Sequence, residues 1–96
     1  MSQYRLTPAA QHDLGSIWDF TQETWDVRQA ETYVMELRAA IERVAESPDR
    51  GRVCDELRSG YRRYAIGSHL IFYRATVDGV DVIRILHQRM DPTRHL

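Results

Sequence analysis

The hydrophobic period of this chain changes once, at the breaker-rich hexapeptide "ESPDRG" of residues 46–51, and that change limits the folds open to it. Before it, apolar residues recur at steps of three and four, the spacing of a helical stripe. After it they alternate or run in short blocks between glycine turns, the pattern of strands. Pro48 and Gly51 make the break sharp. A chain with helices first and strands afterwards belongs to the α+β class, with the helices gathered on one face of an antiparallel sheet.

The elements follow from local signals. "QYRL" at residues 3–6 reads as a short strand, and Thr7 followed by Pro8 is a helix start. Ala10, Leu14, Ile17, Trp18, Thr21 and Trp25 then mark one stripe. Asp26, with Gln29 three residues on, starts a second helix in the manner of a capping box. Its seam of Val27, Ala30, Val34, Leu37, Ile41 and Val44 is narrow, as in two helices packed antiparallel as a hairpin. The aromatic residues Trp18, Trp25 and Tyr33 fall on these stripes, so they are assigned to packing.

Beyond the break, "LRSGYRRYAI", "HLIFYRATV" and "VDVIRILH" predict three antiparallel strands, turned at Gly67-Ser68 and at Asp78-Gly79. A regular two-residue Asp78-Gly79 turn would pair Val77 with Val80, Tyr73 with Arg84, Phe72 with Ile85, and Leu70 with His87. One face would then carry Ile71, Tyr73, Ala75, Val77, Val80, Val82 and Leu86 beneath the helices. The other would expose Leu70, Phe72, Ile83 and Ile85, rimmed by Arg74 and His87, and such an apolar surface calls for a protein partner.

Ninety-six residues make a single domain, 1–96, with a small core. No apolar run approaches the roughly 20 residues of a membrane helix, and "MSQYRLTP" is no signal peptide, so a cytoplasmic location is expected. The lone Cys54 agrees and reads as a bystander thiol. The net charge of −1 conceals a division: residues 1–49 hold four Arg against nine acids, and residues 50–96 hold nine Arg against five. All the basic residues are arginine, whose planar cations suit carboxylates, phosphates and aromatic faces. The four histidines lack metal-ligand spacing, and no glycine-rich phosphate loop opens a helix, so no metal or cofactor is expected.

This layout, with "LTPAAQHDLGSIWDFTQETW", "GYRRYAIGSHLIFYR" and "VIRILHQRMD", resembles the ParE branch of the RelE/ParE toxin superfamily along essentially the whole chain. The resemblance implies a bacterial toxin held inactive by a ParD-like antitoxin, in complexes with two copies of each partner. It implies inhibition of DNA gyrase and a block to replication, where RelE-like relatives cut messenger RNA on the ribosome. Nuclease relatives carry an arginine early in the middle strand and a tyrosine after the C-terminal histidine. Here those positions are Leu70 and Gln88, and a neutral amide cannot move a proton. Asp55 and Glu56 lie where a carboxylate base would be wanted, without a motif that fixes them. His87 is therefore expected at an interface rather than in catalysis, and the alternative reading is a RelE-like ribosome-dependent endoribonuclease.

Two surfaces follow from these readings. Antitoxin binding is assigned to Arg63, Leu70, Phe72, Arg74, Ile83, Ile85 and His87. Target binding is assigned to Arg58, Tyr61 and Arg62, where Tyr and Arg interleave, and to Arg89, Met90 and Arg94 in a tail expected to be extended beyond Pro92.

Overall fold

The computed structural model describes residues 3–96 and places two helices on one face of a five-stranded sheet. The elements are β1 (Gln3–Leu6), α1 (Pro8–Thr24), α2 (Val27–Glu46), β2 (Arg52–Val53), β3 (Tyr61–Ile66), β4 (His69–Ala75) and β5 (Gly79–His87). The sheet order is β1-β5-β4-β3-β2. The α+β class and the helical hairpin are as expected. The strands are more numerous: β1 joins the same sheet, parallel to β5, and the two-residue β2 extends its other edge.

Both helix starts are capped as their sequences predict. Thr7 accepts from Ala10 N at 3.1 Å and donates its own hydroxyl to the Ile83 carbonyl at 2.7 Å, so one side chain caps α1 and ties it to β5. Asp26 accepts from Gln29 N at 2.7 Å, and only Trp25 and Asp26 separate the helices, which forces them antiparallel. The core beneath them joins Leu14 and Ile17 of α1, Leu37, Ile41 and Val44 of α2, and Ile71, Tyr73, Val80, Val82 and Ile85 of the sheet. Each such aliphatic side chain is worth about 1.5–3 kcal/mol on burial. The Tyr73 hydroxyl donates to Pro48 O at 2.7 Å and accepts from Gly51 N at 2.8 Å, fastening the chain break to the sheet centre.

The β4–β5 register differs from the regular hairpin. Ala75 pairs with Val80, Tyr73 with Val82, Phe72 with Arg84 and Leu70 with Leu86, with a shift between Phe72 and Tyr73. Asp78-Gly79 is not the turn centre; Val77 sits fully exposed at the tip and Thr76 N donates to Gly79 O at 2.8 Å. The reason lies at β1, where Gly79 faces Gln3 in the parallel pair, and a side chain on Gly79 would overlap the Gln3 backbone. The glycine serves close approach of two strands, with no positive φ, so the sequence signal for a primed turn was misleading.

That irregularity exchanges the two neighbours at the end of β5. Ile85 joins the helix-covered core, and Leu86 moves to the opposite face with Phe72 and Cys54. The opposite face is not an open apolar surface: Phe72 is fully buried, with Leu57, Tyr61, Leu70 and Leu96 packed on its cluster. The expectation of an exposed Phe72–Ile85 face is thereby corrected. So is the extended tail. Pro92–Arg94 forms a 3-10 turn capped by Asp91, the His95 carbonyl accepts from Arg84 at 3.0 Å, and Leu96 folds back onto the Phe72 cluster.

Candidate functional site

A cleft of about 460 Å3 opens where the helical hairpin, the β3–β4 turn and the C-terminal tail converge. Along α1, Ile17 and Thr21 face the sheet while Phe20 projects beside them, and Trp25 follows at the helix end. Gln29 and Tyr33, four residues apart on α2, form the facing wall. Ser68, His69, Ile85, His87 and Met90 complete it from the sheet and tail. Phe20 is 67% exposed and Trp25 71%, with Met90 at 42%. Three large apolar side chains around one cleft form the kind of patch that marks a docking site. Trp25, assigned to packing from its place in the α1 stripe, is thus a surface residue; the stripe ends one turn before it because the chain reverses at Asp26. Trp18 is half-buried, and Tyr33 packs on the core by its ring while its hydroxyl reaches the cleft.

The polar floor of the cleft is ordered by hydrogen bonds. The Tyr33 hydroxyl accepts from Ser68 N at 3.1 Å and lies 2.6 Å from His69 Nδ1. His87, the cross-strand partner of His69, meets it ring edge to face with centroids 5.3 Å apart, and its Nδ1 accepts from Arg89 N at 3.1 Å. Burial raises the Tyr33 pKa above its usual value, with the Ser68 hydrogen bond opposing, so the phenol stays protonated. Burial, helped by His87 and opposed by Asp13, lowers the His69 pKa from 6.5 to about 4. The unfolded chain therefore binds the proton more readily, and stability is lost as pH falls from about 6.5 through about 4. Because His69 is partly solvated, the loss should be on the order of 1 kcal/mol rather than the full value of the shift. Melting temperatures measured across that window should show a shallower decline for His69→Phe; an equal decline would place the acid sensitivity elsewhere.

Behind the cleft, Asp13 of α1 accepts from Arg84 Nε at 2.7 Å, Arg84 Nη2 at 2.8 Å and Ile85 N at 3.0 Å. The side chains are only 10% and 21% exposed, and the pair raises the Arg84 pKa through the Asp13 hydrogen bond first. β1 pairs with β5 only as far as Val82, so the Ile85 N–H would otherwise be an unpaired edge donor. Asp13 thus finishes the sheet edge and holds the cleft's back wall.

The residues singled out from the sequence do not form one surface. Ile85, His87 and Met90 meet in the cleft. Leu70, Phe72 and Tyr61 share the cluster on the other face, with Arg63 opposite Phe72 and Arg74 opposite Tyr61 in register. Arg74 lies 3.4 Å from Asp81. Arg62 donates to the Gly51 carbonyl at 2.8 Å, which uses it in the fold. Arg58 and Arg89 are exposed, and Arg94 lies 3.8 Å from Asp91. Ile83 is half-buried, its carbonyl held by Thr7. Of the remaining polar candidates, Asp55 accepts from Gly60 N at 2.9 Å and closes its own loop. Cys54 is buried, which raises its thiol pKa and keeps it unreactive.

Phe20, Ser68, His69 and Asp13 are cleft residues that sequence reasoning did not assign to a site, and Trp25 is one that it assigned to packing. Asp13 left a trace: it is the one carboxylate inside the buried stripe of α1, as Arg84 is the one cation inside "VIRIL". Two lone opposite charges in two apolar runs are a pairing signal.

A family model described as "ParE toxin of type II toxin-antitoxin system, parDE" matches residues 4–92. Among curated proteins, Toxin ParE1 of Mycobacterium tuberculosis (strain H37Rv) is 55% identical over 96 residues, covering 99% of this chain and 98% of that one. Toxin ParE1 of Caulobacter vibrioides is 48% identical over 96 residues, covering 100% and 99%. Among solved structures, "Chromosomal ParDE TA system from P. aeruginosa" superposes with a TM-score of 0.77 at 17% identity, covering 91% of this chain and 96% of that one, a likeness of fold.

Proposed function

Because this chain belongs to the ParE toxin family, as a toxin of a type II toxin–antitoxin system, we propose that it acts without catalysis, by binding DNA gyrase, and is silenced by an antitoxin arm seated in the cleft. The observation that carries the reading is the clustering of exposed Phe20, Trp25 and Met90 around one cleft, whereas the other exposed apolar side chains, Val27, Met35, Val53 and Val77, lie outside its lining. Such a patch supports a binding protein. The residue after His87 supports the non-catalytic part: the exposed Gln88 side chain is a neutral amide and offers no proton. The antitoxin site moves from the buried Phe72 face to the cleft, keeping Ile85 and His87 of the residues first assigned. Arg58, Arg89 and Arg94, exposed and carried on turns, remain for the target, where arginine charge would speed encounter and set specificity.

Expression of the chain alone, with nascent DNA and nascent protein labelled separately, tests the target. DNA synthesis should fall first, and purified gyrase should lose supercoiling activity when the chain is added. Protein synthesis falling first, with messages cut on ribosomes, would sink the gyrase reading in favour of the nuclease. The folded double variant Arg89→Glu/Arg94→Glu should relieve toxicity, and full toxicity would exonerate the tail. For the antitoxin, Trp25→Ala removes an exposed anchor without touching the core. It should weaken the complex by about 30-fold, the scale of a hot-spot residue; unchanged affinity would empty the cleft of its occupant.

A further inference from the structure

The hydrogen bonds at the cleft floor fix where each imidazole carries its proton. A backbone amide only donates, so the Arg89 N–H at 3.1 Å makes His87 Nδ1 an acceptor and puts the ring proton on Nε2. At His69 the same follows from Tyr33. Its oxygen already accepts from Ser68 N, and His69 Nδ1 at 2.6 Å is the acceptor that its hydroxyl proton meets among the described residues. Both rings therefore present Nε2–H. Neither Nε2 has a hydrogen-bond partner among the described residues, and no fully buried polar side-chain atom there lacks one. Both half-buried donors thus remain accessible on the cleft lining.

Their surroundings select the partner. The charged residue lining the cleft among those described is Asp13, a carboxylate already committed to Arg84. An incoming anion would meet that carboxylate and leave its own hydration without gaining a cation. An uncharged acceptor loses less on desolvation and gains hydrogen bonds from neutral donors. Resting on the cleft as the antitoxin's docking surface, we infer that the His69–His87 pair is a specificity site for a neutral oxygen acceptor, a side-chain amide or an unpaired backbone carbonyl, set within an apolar stretch of the antitoxin arm that packs on Phe20, Trp25 and Met90.

The pair sets a polar requirement inside an apolar groove. A segment that is merely greasy would leave both donors dry and unpaired, and one with a carboxylate there would pay for its charge. Nitrogen-15 spectra of the free chain give the first test, since the two tautomers differ in their ring-nitrogen shifts. Nε2–H at both residues is expected; Nδ1–H at either overturns the inference before any partner is added. The second test measures the affinity of the cognate antitoxin for His69→Phe and His87→Phe, which keep ring bulk and remove the donor, beside Trp25→Ala, with melting curves confirming the folds. Each histidine variant should bind about tenfold more weakly, the scale of one net hydrogen bond. Weakening by Trp25→Ala alone would reject the donor pair while leaving the docking reading intact. No weakening by Trp25→Ala would reject the docking reading and this inference together.

Discussion

Asp13→Ala is expected to lower the melting temperature of the free chain by at least about 12 °C, from a loss of about 3–5 kcal/mol. The carboxylate receives three donors from β5: two from the Arg84 guanidinium at 2.7 and 2.8 Å and one from Ile85 N at 3.0 Å. With alanine there, the guanidinium keeps only its bond to the His95 carbonyl, in a position that is 21% exposed. The Ile85 amide, next to a side chain only 2% exposed, loses its acceptor as well. Removing one partner costs far more than removing both, because the penalty is an uncompensated charge rather than a missing attraction. Arg84→Met added to Asp13→Ala should therefore recover part of the loss. Thermal melts of the two variants decide the matter. A fall of less than about 4 °C for the single variant would mean that solvent replaces the carboxylate and that the pair is incidental.

Gly79→Ala should cost about 2–3 kcal/mol although it adds a single methyl at the end of a strand. The methyl would overlap the carbonyl and backbone of Gln3 across the parallel β1–β5 pair. Backbone cannot swing aside as a side chain does, so the two strands must part. The bond from Gln3 N to Asp78 O at 2.9 Å should be lost with them. Hydrogen exchange offers a direct reading: the amides of Tyr4 to Leu6 should lose protection in the variant while those of β3 and β4 keep theirs. Unchanged protection in β1 would show that the close approach is relieved by a local shift. Since Gly79 has no positive φ, the variant also separates the two uses of glycine, turn conformation and close packing.

The helical half was legible because its signals are local. Thr7 and Asp26 cap the helices where the sequence places them, with Pro8 opening the first, and the Val27-to-Val44 seam packs on the core from Ala30 onward, Val34 half-buried and the outermost residue Val27 left exposed. Trp25 was misassigned for a related reason: helical spacing predicts a face and is silent on where that face runs out of sheet to cover. In the strand half the alternation was legible but the register was not. One irregular step between Tyr73 and Phe72 exchanges Ile85 with Leu86, and both are equally apolar, so composition could not object to either placement. His69 and His87 lie eighteen positions apart, and their juxtaposition follows wholly from that register.

The sequence by itself determined the α+β class, the helical hairpin, the family resemblance and the absence of a catalytic tyrosine after His87, since each depends on residue type and on spacing within a few turns or strands. Tertiary structure alone decided that Phe72 is interior and Trp25 is not, that Gly79 admits β1, and that Asp13 reaches β5. The last two rest on contacts between residues some seventy positions apart. They are set by which segments compete for the same buried space, and no local period encodes that competition.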